Sequence, residues 1–284
     1  MSTPMGLLPT RHPIADFNWP TNPTINAIFT IGAGLAVLGG LVASYRFYRR
    51  EGTVVGFVCM IGGAVASLIE PMTGANAFVY YPRQEQWTVF TAYDVRIPAF
   101  LTLAYAAEIG LGALATWRLL RAGAGPTGVL RVWAVVALGD LLLETPALWL
   151  HVFYYYGPQP WNLWGFPLYW APLDGALGIL PAVALHLLHR PSWRPWHYLV
   201  VITLFPTSVA LFYFGAGWPL WTLMHTDLPE PWIWLGGAIT VALACLFVRA
   251  LAALAALPPS AVEVLRTASW DYRSALPGRA TDRV

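Results

Sequence analysis

The chain has 284 residues, of which 57% are hydrophobic and only 11% charged, and its mean hydropathy is +0.56. Soluble domains carry about 25% charged residues, so this balance argues against a water-soluble globule. All sixteen basic residues are Arg and none is Lys, which excludes Schiff-base chemistry and a retinal-type photoprotein, while a net charge of +2 offers no nucleic-acid surface.

The first 23 residues hold five prolines and no apolar core of the signal-peptide kind, and read as a short translocated tail. Seven apolar stretches follow, near Thr24 to Tyr45, Thr53 to Met72, Ile97 to Trp117, Gly128 to Val152, Pro167 to Leu188, His197 to Gly217 and Trp232 to Leu254. Each has about the 20 residues that cross a bilayer core of roughly 30 Å. The fold class predicted is therefore all-α: a polytopic membrane protein with seven transmembrane helices. It divides into an N-terminal tail (1–23), a seven-helix membrane domain (24–255) and a C-terminal tail (256–284), with a short surface helix through Ala261 to Trp270.

Arginine sets the predicted orientation, because positive loops stay cytoplasmic. Arg46, Arg49, Arg50, Arg118, Arg121, Arg131, Arg190, Arg194 and Arg249 flank one side, joined by Arg266, Arg273, Arg279 and Arg283 in the tail; Arg11, Arg83 and Arg96 fall on the other. The N-terminus is expected outside and the C-terminus in the cytoplasm, as a multi-pass protein of the cell membrane. Cys59 and Cys245 lie in apolar runs and suggest neither a disulfide nor a thiolate site. Gly32, Gly34, Gly39 and Gly40 in the first span read as close helix packing.

An acidic residue at the centre of an inserted helix costs about 2.5–3.5 kcal/mol, so intramembrane carboxyls signal function by default. Five fall within the spans: Glu70, Glu108, Asp140, Glu144 and Asp174. At 1.5 Å per residue, Glu70 lies about 3–5 Å, Asp174 about 10 Å and Glu144 about 12 Å below the outer surface, so three helices bring acids to one half of the membrane. Asp140 and Glu144 share a helical face, and Glu108 sits nearer the midplane. A proline stands beside each outer acid, in Glu70-Pro71, Glu144-Thr145-Pro146 and Pro172-Leu173-Asp174. Proline frees a backbone carbonyl that must find another partner or a cavity, which favours a polar pocket. The alternative is structural: a buried acid pairing with Arg96 or a Trp indole.

Aromatic residues are the expected wall. The chain has 15 Trp, 13 Tyr and 13 Phe, more than interfacial belts require. Tyr154-Tyr155-Tyr156-Gly157-Pro158-Gln159-Pro160-Trp161, followed by Trp164, Tyr169 and Trp170, reads as a lid over the helix mouths; Trp218, Trp221, Trp232 and Trp234 flank the last outer loop. Headgroup anchoring is the competing role for scattered positions. His186, His189 and His197 at one end and His151 and His225 at the other read as interface residues, and neither a metal nor a cofactor is expected.

A desolvated carboxylic acid can act as general acid on an alkene or epoxide, provided π-faces stabilise the cation and water is excluded. The seven-span layout, the Ser67–Pro71 block (SLIEP), Tyr93-Asp94-Val95-Arg96-Ile97-Pro98 before span three, and the Glu144 to Pro160 block ending YYYGPQP resemble bacterial integral-membrane terpene cyclases of the drimentine type. These are similar in size and helix count to the fungal meroterpenoid cyclases. The resemblance implies proton-initiated cyclisation of a farnesyl-like chain on a lipophilic substrate, with an upstream prenyltransferase as a possible partner. It matches Glu70 to the acid at the end of the second helix and leaves Asp174, Glu144 and Asp227 competing for the second position. DDxxD-like and DxDD-like motifs are missing, so magnesium-assisted diphosphate ionisation is not supported.

The expected site is thus Glu70, Glu144 and Asp174 as catalytic residues, Arg96, Asp140 and Asp227 in support, and Tyr105, Trp149, Tyr155, Trp161 and Trp170 as substrate-binding wall. A carotenoid-modifying cyclase and a proton-coupled small-molecule transporter are the competing functions; against the transporter, the chain shows no inverted repeat.

Overall fold

The computed structural model of the chain describes residues 21–82, 86–258, 260–261 and 263–264. Most of both expected tails, with Arg11, Arg83, Arg266, Arg273, Arg279 and Arg283, lies outside the described residues.

Among the described residues, seven helices are long and apolar enough to cross a membrane: α1 Pro23–Glu51, α2 Val55–Ala77, α3 Ala99–Arg121, α4 Gly125–Trp149, α5 Trp170–Leu188, α6 Pro195–Ala216 and, after the short α7 (Trp218–Met224), α8 Glu230–Leu254. The Asn22 side chain caps α1 by accepting from the N–H groups of Thr24 and Ile25, and Pro23 occupies the first turn, where its missing N–H costs nothing. The helix outruns the expected Tyr45 because nothing breaks it before Gly52, whose φ of 69° is the left-handed stop. Leu35, Val135, Leu142, Leu143 and Leu246 face outward and are more than half exposed, a sidedness compatible with lipid and costly in water.

Glycines set the closest approaches in the bundle. A Cβ on Gly63 of α2 would lie 2.5 Å from the Tyr105 carbonyl oxygen of α3, and one on Gly110 of α3 would lie 2.9 Å from the Cys59 carbonyl oxygen of α2. The two backbones therefore touch, as small residues permit in apolar surroundings. The expectation for α1 fails in part. Only Gly40 packs tightly, against Met60, whereas Gly32, Gly34 and Gly39 have no neighbouring atom within 4 Å. The four share a sequence cluster, but the first three turn to the open side of α1.

Three of the long helices are interrupted, each at proline or glycine. In α2, Pro71 cannot donate to the Ser67 carbonyl four residues back; the Glu70 N–H takes that acceptor instead, tightening Ser67–Ile69 into a 3₁₀ turn. Helix α5 unwinds after Asp174 and resumes at Ile179. The intervening turn is wedged between neighbours: a Cβ on Gly175 would lie 2.7 Å from the Trp133 carbonyl oxygen of α4, and one on Gly178 would lie 2.7 Å from the Ala113 nitrogen of α3. Helix α6 widens to a π-turn over Leu211–Ala216, and the Trp221 indole donates to the Tyr213 carbonyl.

Short strands, absent from the sequence-based prediction, close one end of the bundle. β1 (Val79–Tyr80) pairs antiparallel with β4 (Tyr154–Tyr155), β2 (Thr88–Ala92) with β3 (Val95–Pro98), and β5 (Asn162–Leu163) with β6 (Phe166–Pro167). Ala92 pairs with Val95, and the two turn residues, Tyr93 and Asp94, have φ of 50° and 59°. This two-residue left-handed turn is the hairpin geometry that matches strand twist. Runs this short carry too little alternation to be read from sequence.

Candidate active site

Five helices deliver polar side chains to one interior region near the strand-closed end. Glu70 sits where the 3₁₀ turn of α2 gives way to α-helix and is only 4% exposed. Tyr81, just beyond β1, donates its hydroxyl to Glu70 Oε1 at 2.7 Å, and Tyr105 of α3 donates to Glu70 Oε2. Tyr213, in the π-turn of α6, donates to Asp174 Oδ1. The Tyr105 and Tyr213 hydroxyls lie 3.4 Å apart, which puts the phenols serving two carboxyls on different helices next to each other.

A second set of acids adjoins the first. Tyr155 of β4 donates to Glu144 Oε2 at 2.7 Å. One carboxylate oxygen each from Asp140, Glu144 and Asp174 falls within 4.8 Å of the others. Asp140 is 3% exposed, yet its Oδ2 has no hydrogen-bond donor, and the buried Glu108 Oε1 likewise has none. Glu108 follows Tyr105 by three residues, one helical turn along α3.

Aromatic rings form the wall around the tyrosine and acid groups. Trp170 stacks on Tyr155, with centroids 5.6 Å apart, meets Tyr213 edge-on at 5.2 Å, and packs against Trp221 at 5.4 Å. Burial and the neighbouring carboxyls push the phenols of Tyr81 and Tyr155 well above the ordinary tyrosine range, so both remain O–H donors. The loop expected as a lid is a pinned roof. Gln159 donates to the carbonyls of Ala77 and Tyr156, and Tyr169 donates to Gln159 Oε1 at 2.5 Å.

Glu70, Glu144, Asp174, Asp140, Tyr105, Tyr155 and Trp170 therefore meet as the sequence predicts. Asp227 and Trp149 do not. Asp227 is exposed in the loop between α7 and α8, where the surrounding prolines keep the chain outside the bundle. Trp149 is 60% exposed and donates to the Trp164 carbonyl at 2.7 Å, so its ring lies on the outer surface instead of the wall. Trp161 packs near Gly237 of α8, and Arg96 lies half-buried on β3, opposite Thr91. The histidines have other roles: His225 packs tilted against Phe78 at 4.5 Å, His151 stacks on Tyr154 at 5.4 Å, and His189 meets Trp117 and Trp193 at the arginine-bearing end.

Sequence reasoning missed Tyr81 and Tyr213, and named Trp221 only as flanking the last outer loop. The available signal was a lone hydroxyl in the apolar run Leu211–Ala216 of α6, and a tyrosine that follows directly on the second span. A cavity of about 340 Å³, lined by Asn26, Thr30, Gln86, Trp87 and Phe100 among others, opens between α1 and the β2–β3 hairpin. None of the acids lines it. Phe100 is its link inward, meeting Tyr81 edge-on at 6.5 Å.

No family model, curated protein or solved structure matches this chain.

Proposed function

We propose that the protein is an integral-membrane terpene cyclase that starts ring closure by protonating a prenyl chain. The observation that carries this reading is Glu70: a buried carboxyl held by two phenols, beside a stack of aromatic rings. Glu70 donates its proton to the terminal alkene carbon, whose π pair forms the new C–H bond and leaves a tertiary carbocation. The carboxylate left behind accepts the hydrogen bonds of Tyr81 and Tyr105. Each desolvated aromatic face stabilises a cation by roughly 0.5–2 kcal/mol, which gives Trp170, Tyr155, Tyr213 and Trp221 their role as the chain folds. A second carboxyl, Glu144 or Asp174, takes the proton lost when the last alkene forms. An epoxide terminus follows the same course, with the proton going to oxygen.

The cavity bounded by Asn26, Gln86 and Phe100 supplies the entrance, with amides for a polar head and Phe100 leading toward Tyr81. The arginine distribution supports an orientation with this end outside the cytoplasm.

Membranes containing the protein, given a farnesylated quinol or indole, are expected to yield a cyclised isomer of unchanged mass. Glu70→Gln is expected to yield none. The paired phenols between Glu70 and Asp174 favour one other reading, a proton-coupled carrier, which predicts solute flux in liposomes without a new product.

A further inference from the structure

The group formed by Asp140, Glu144 and Asp174 contains more acid than its protein donors satisfy. Tyr155 serves Glu144 and Tyr213 serves Asp174, each through one oxygen. Asp140 is almost fully buried; its carboxyl hydrogen-bonds that of Asp174, while its Oδ2 has no donor. Glu108 Oε1 is a second buried oxygen without a donor. Buried polar groups are normally satisfied, and an unpaired carboxylate is among the costliest to bury.

The spacing suggests what fills the gap. Three carboxylate oxygens lie within 4.8 Å of one another. Three oxygens spaced evenly around one cation with bonds of about 2.4 Å are about 4.2 Å apart, and for Mg²⁺ about 3.6 Å. The three can share an ion of Ca²⁺ or Mn²⁺ size with little movement. The donor set is all oxygen, which selects hard cations over zinc or copper.

We propose that Asp140, Glu144 and Asp174 bind one hard divalent cation inside the helix bundle, with Glu108 as the nearest further carboxyl. This departs from the sequence-based expectation of no metal, which rested on reading the histidines as interface residues, beside the missing aspartate-rich motifs. Those motifs place acids on one helix, whereas here α4 supplies two and α5 the third. The site does not depend on the cyclase reading.

The test uses the full chain in detergent or nanodiscs, stripped with chelator and titrated with Mn²⁺ under electron paramagnetic resonance. Wild type is expected to take up one Mn²⁺ per chain, displaceable by Ca²⁺. Folded Asp140→Asn and Glu144→Gln are each expected to weaken uptake by about tenfold or more. Trp149→Phe, on the outer surface, should bind like wild type. Should the acid variants misfold, wild type alone still decides. Mn²⁺ uptake should quench fluorescence from Trp170, which stacks on the tyrosine serving Glu144, and Trp170→Phe should lose that quenched component. Absence of saturable uptake by wild type, quenching unchanged in Trp170→Phe, or equal uptake by the folded acid variants overturns the proposal in favour of protons shared among the carboxyls. Because binding is read without turnover, an inactive protein that holds Mn²⁺ loses only the cyclase reading, and an active one that holds none loses only the cation.

Discussion

Tyr105 and Tyr213 bring their hydroxyls within 3.4 Å of each other, and each donates to a different buried carboxyl, Glu70 and Asp174 respectively. A hydroxyl carries one proton, so the two acids, on helices far apart in sequence, become one hydrogen-bonded unit when a phenol accepts from a protonated carboxyl and passes its own proton to the other phenol. If the unit returns a proton to Glu70 after each turnover, Tyr105→Phe and Tyr213→Phe should each lower kcat by about ten- to a hundredfold, and the double variant should cost less than the sum. Steady-state kinetics on the two single variants and the double variant check this; strict additivity removes the relay.

Glu70→Gln keeps the shape of the side chain and removes the transferable proton. A loss of about 10²–10⁴ in turnover is expected with an unchanged denaturation midpoint, measured by product analysis and thermal unfolding in the same preparation. Retained turnover in a properly folded variant removes Glu70 as the acid.

How much of this was legible follows from where each residue's signal lies. Glu70, Asp140, Glu144 and Asp174 stand out because carboxyls are expensive in apolar helices, and the i, i+4 spacing places Asp140 with Glu144 without any structure. Tyr81 and Tyr213 stay hidden because a tyrosine in an apolar run is equally at home as an anchor. Asp227 and Trp149 mislead for the opposite reason: proximity in sequence to the outer loops does not fix which way a side chain faces. The seven spans are readable from hydropathy alone, whereas the hairpins, which hold Tyr155 and the roof loop in place, depend on pairings between segments up to about 75 residues apart, such as Val79 with Tyr155.

Contact between α2 and α3 gives a stability test. Gly63→Ala would force a methyl to within 2.5 Å of the Tyr105 carbonyl oxygen, and backbone cannot move aside as a flexible side chain can. A loss of about 1–3 kcal/mol or more is expected. Gly39→Ala, in open space on α1, should be neutral or gain up to about 1 kcal/mol from helix propensity. Unfolding of both variants in one detergent distinguishes them.

Alkaline stability should track the buried phenols. In Tyr81, Tyr155 and Tyr169, burial first and nearby carboxyls second raise the folded-state value above that of the unfolded chain. The neutral phenol is therefore the form the fold retains. Its contribution is complete below about pH 10, the unfolded value, and falls as pH rises through the raised folded values. Denaturation midpoints should decline above that point, and less steeply in Tyr81→Phe or Tyr155→Phe than in wild type.

Orientation can be read with a membrane-impermeant thiol reagent. Tyr93 at the hairpin tip is 66% exposed, Arg50 is exposed at the other end of α1, and the native Cys59 is fully buried. In a background with Cys245 replaced, Tyr93→Cys should label in intact cells and Arg50→Cys only after permeabilisation. The reverse pattern inverts the topology.

The break in α5 has a wider bearing on how this chain can change. Because the turn after Asp174 is clamped by main-chain atoms of α3 and α4, the carboxyl's location depends little on which side chains cover the outer faces of the bundle. Substitutions among Val135, Leu142, Leu143 and Leu246 can exchange one greasy residue for another without shifting the acids. Such a molecule tolerates wholesale drift over most of its surface while its interior chemistry stays in register.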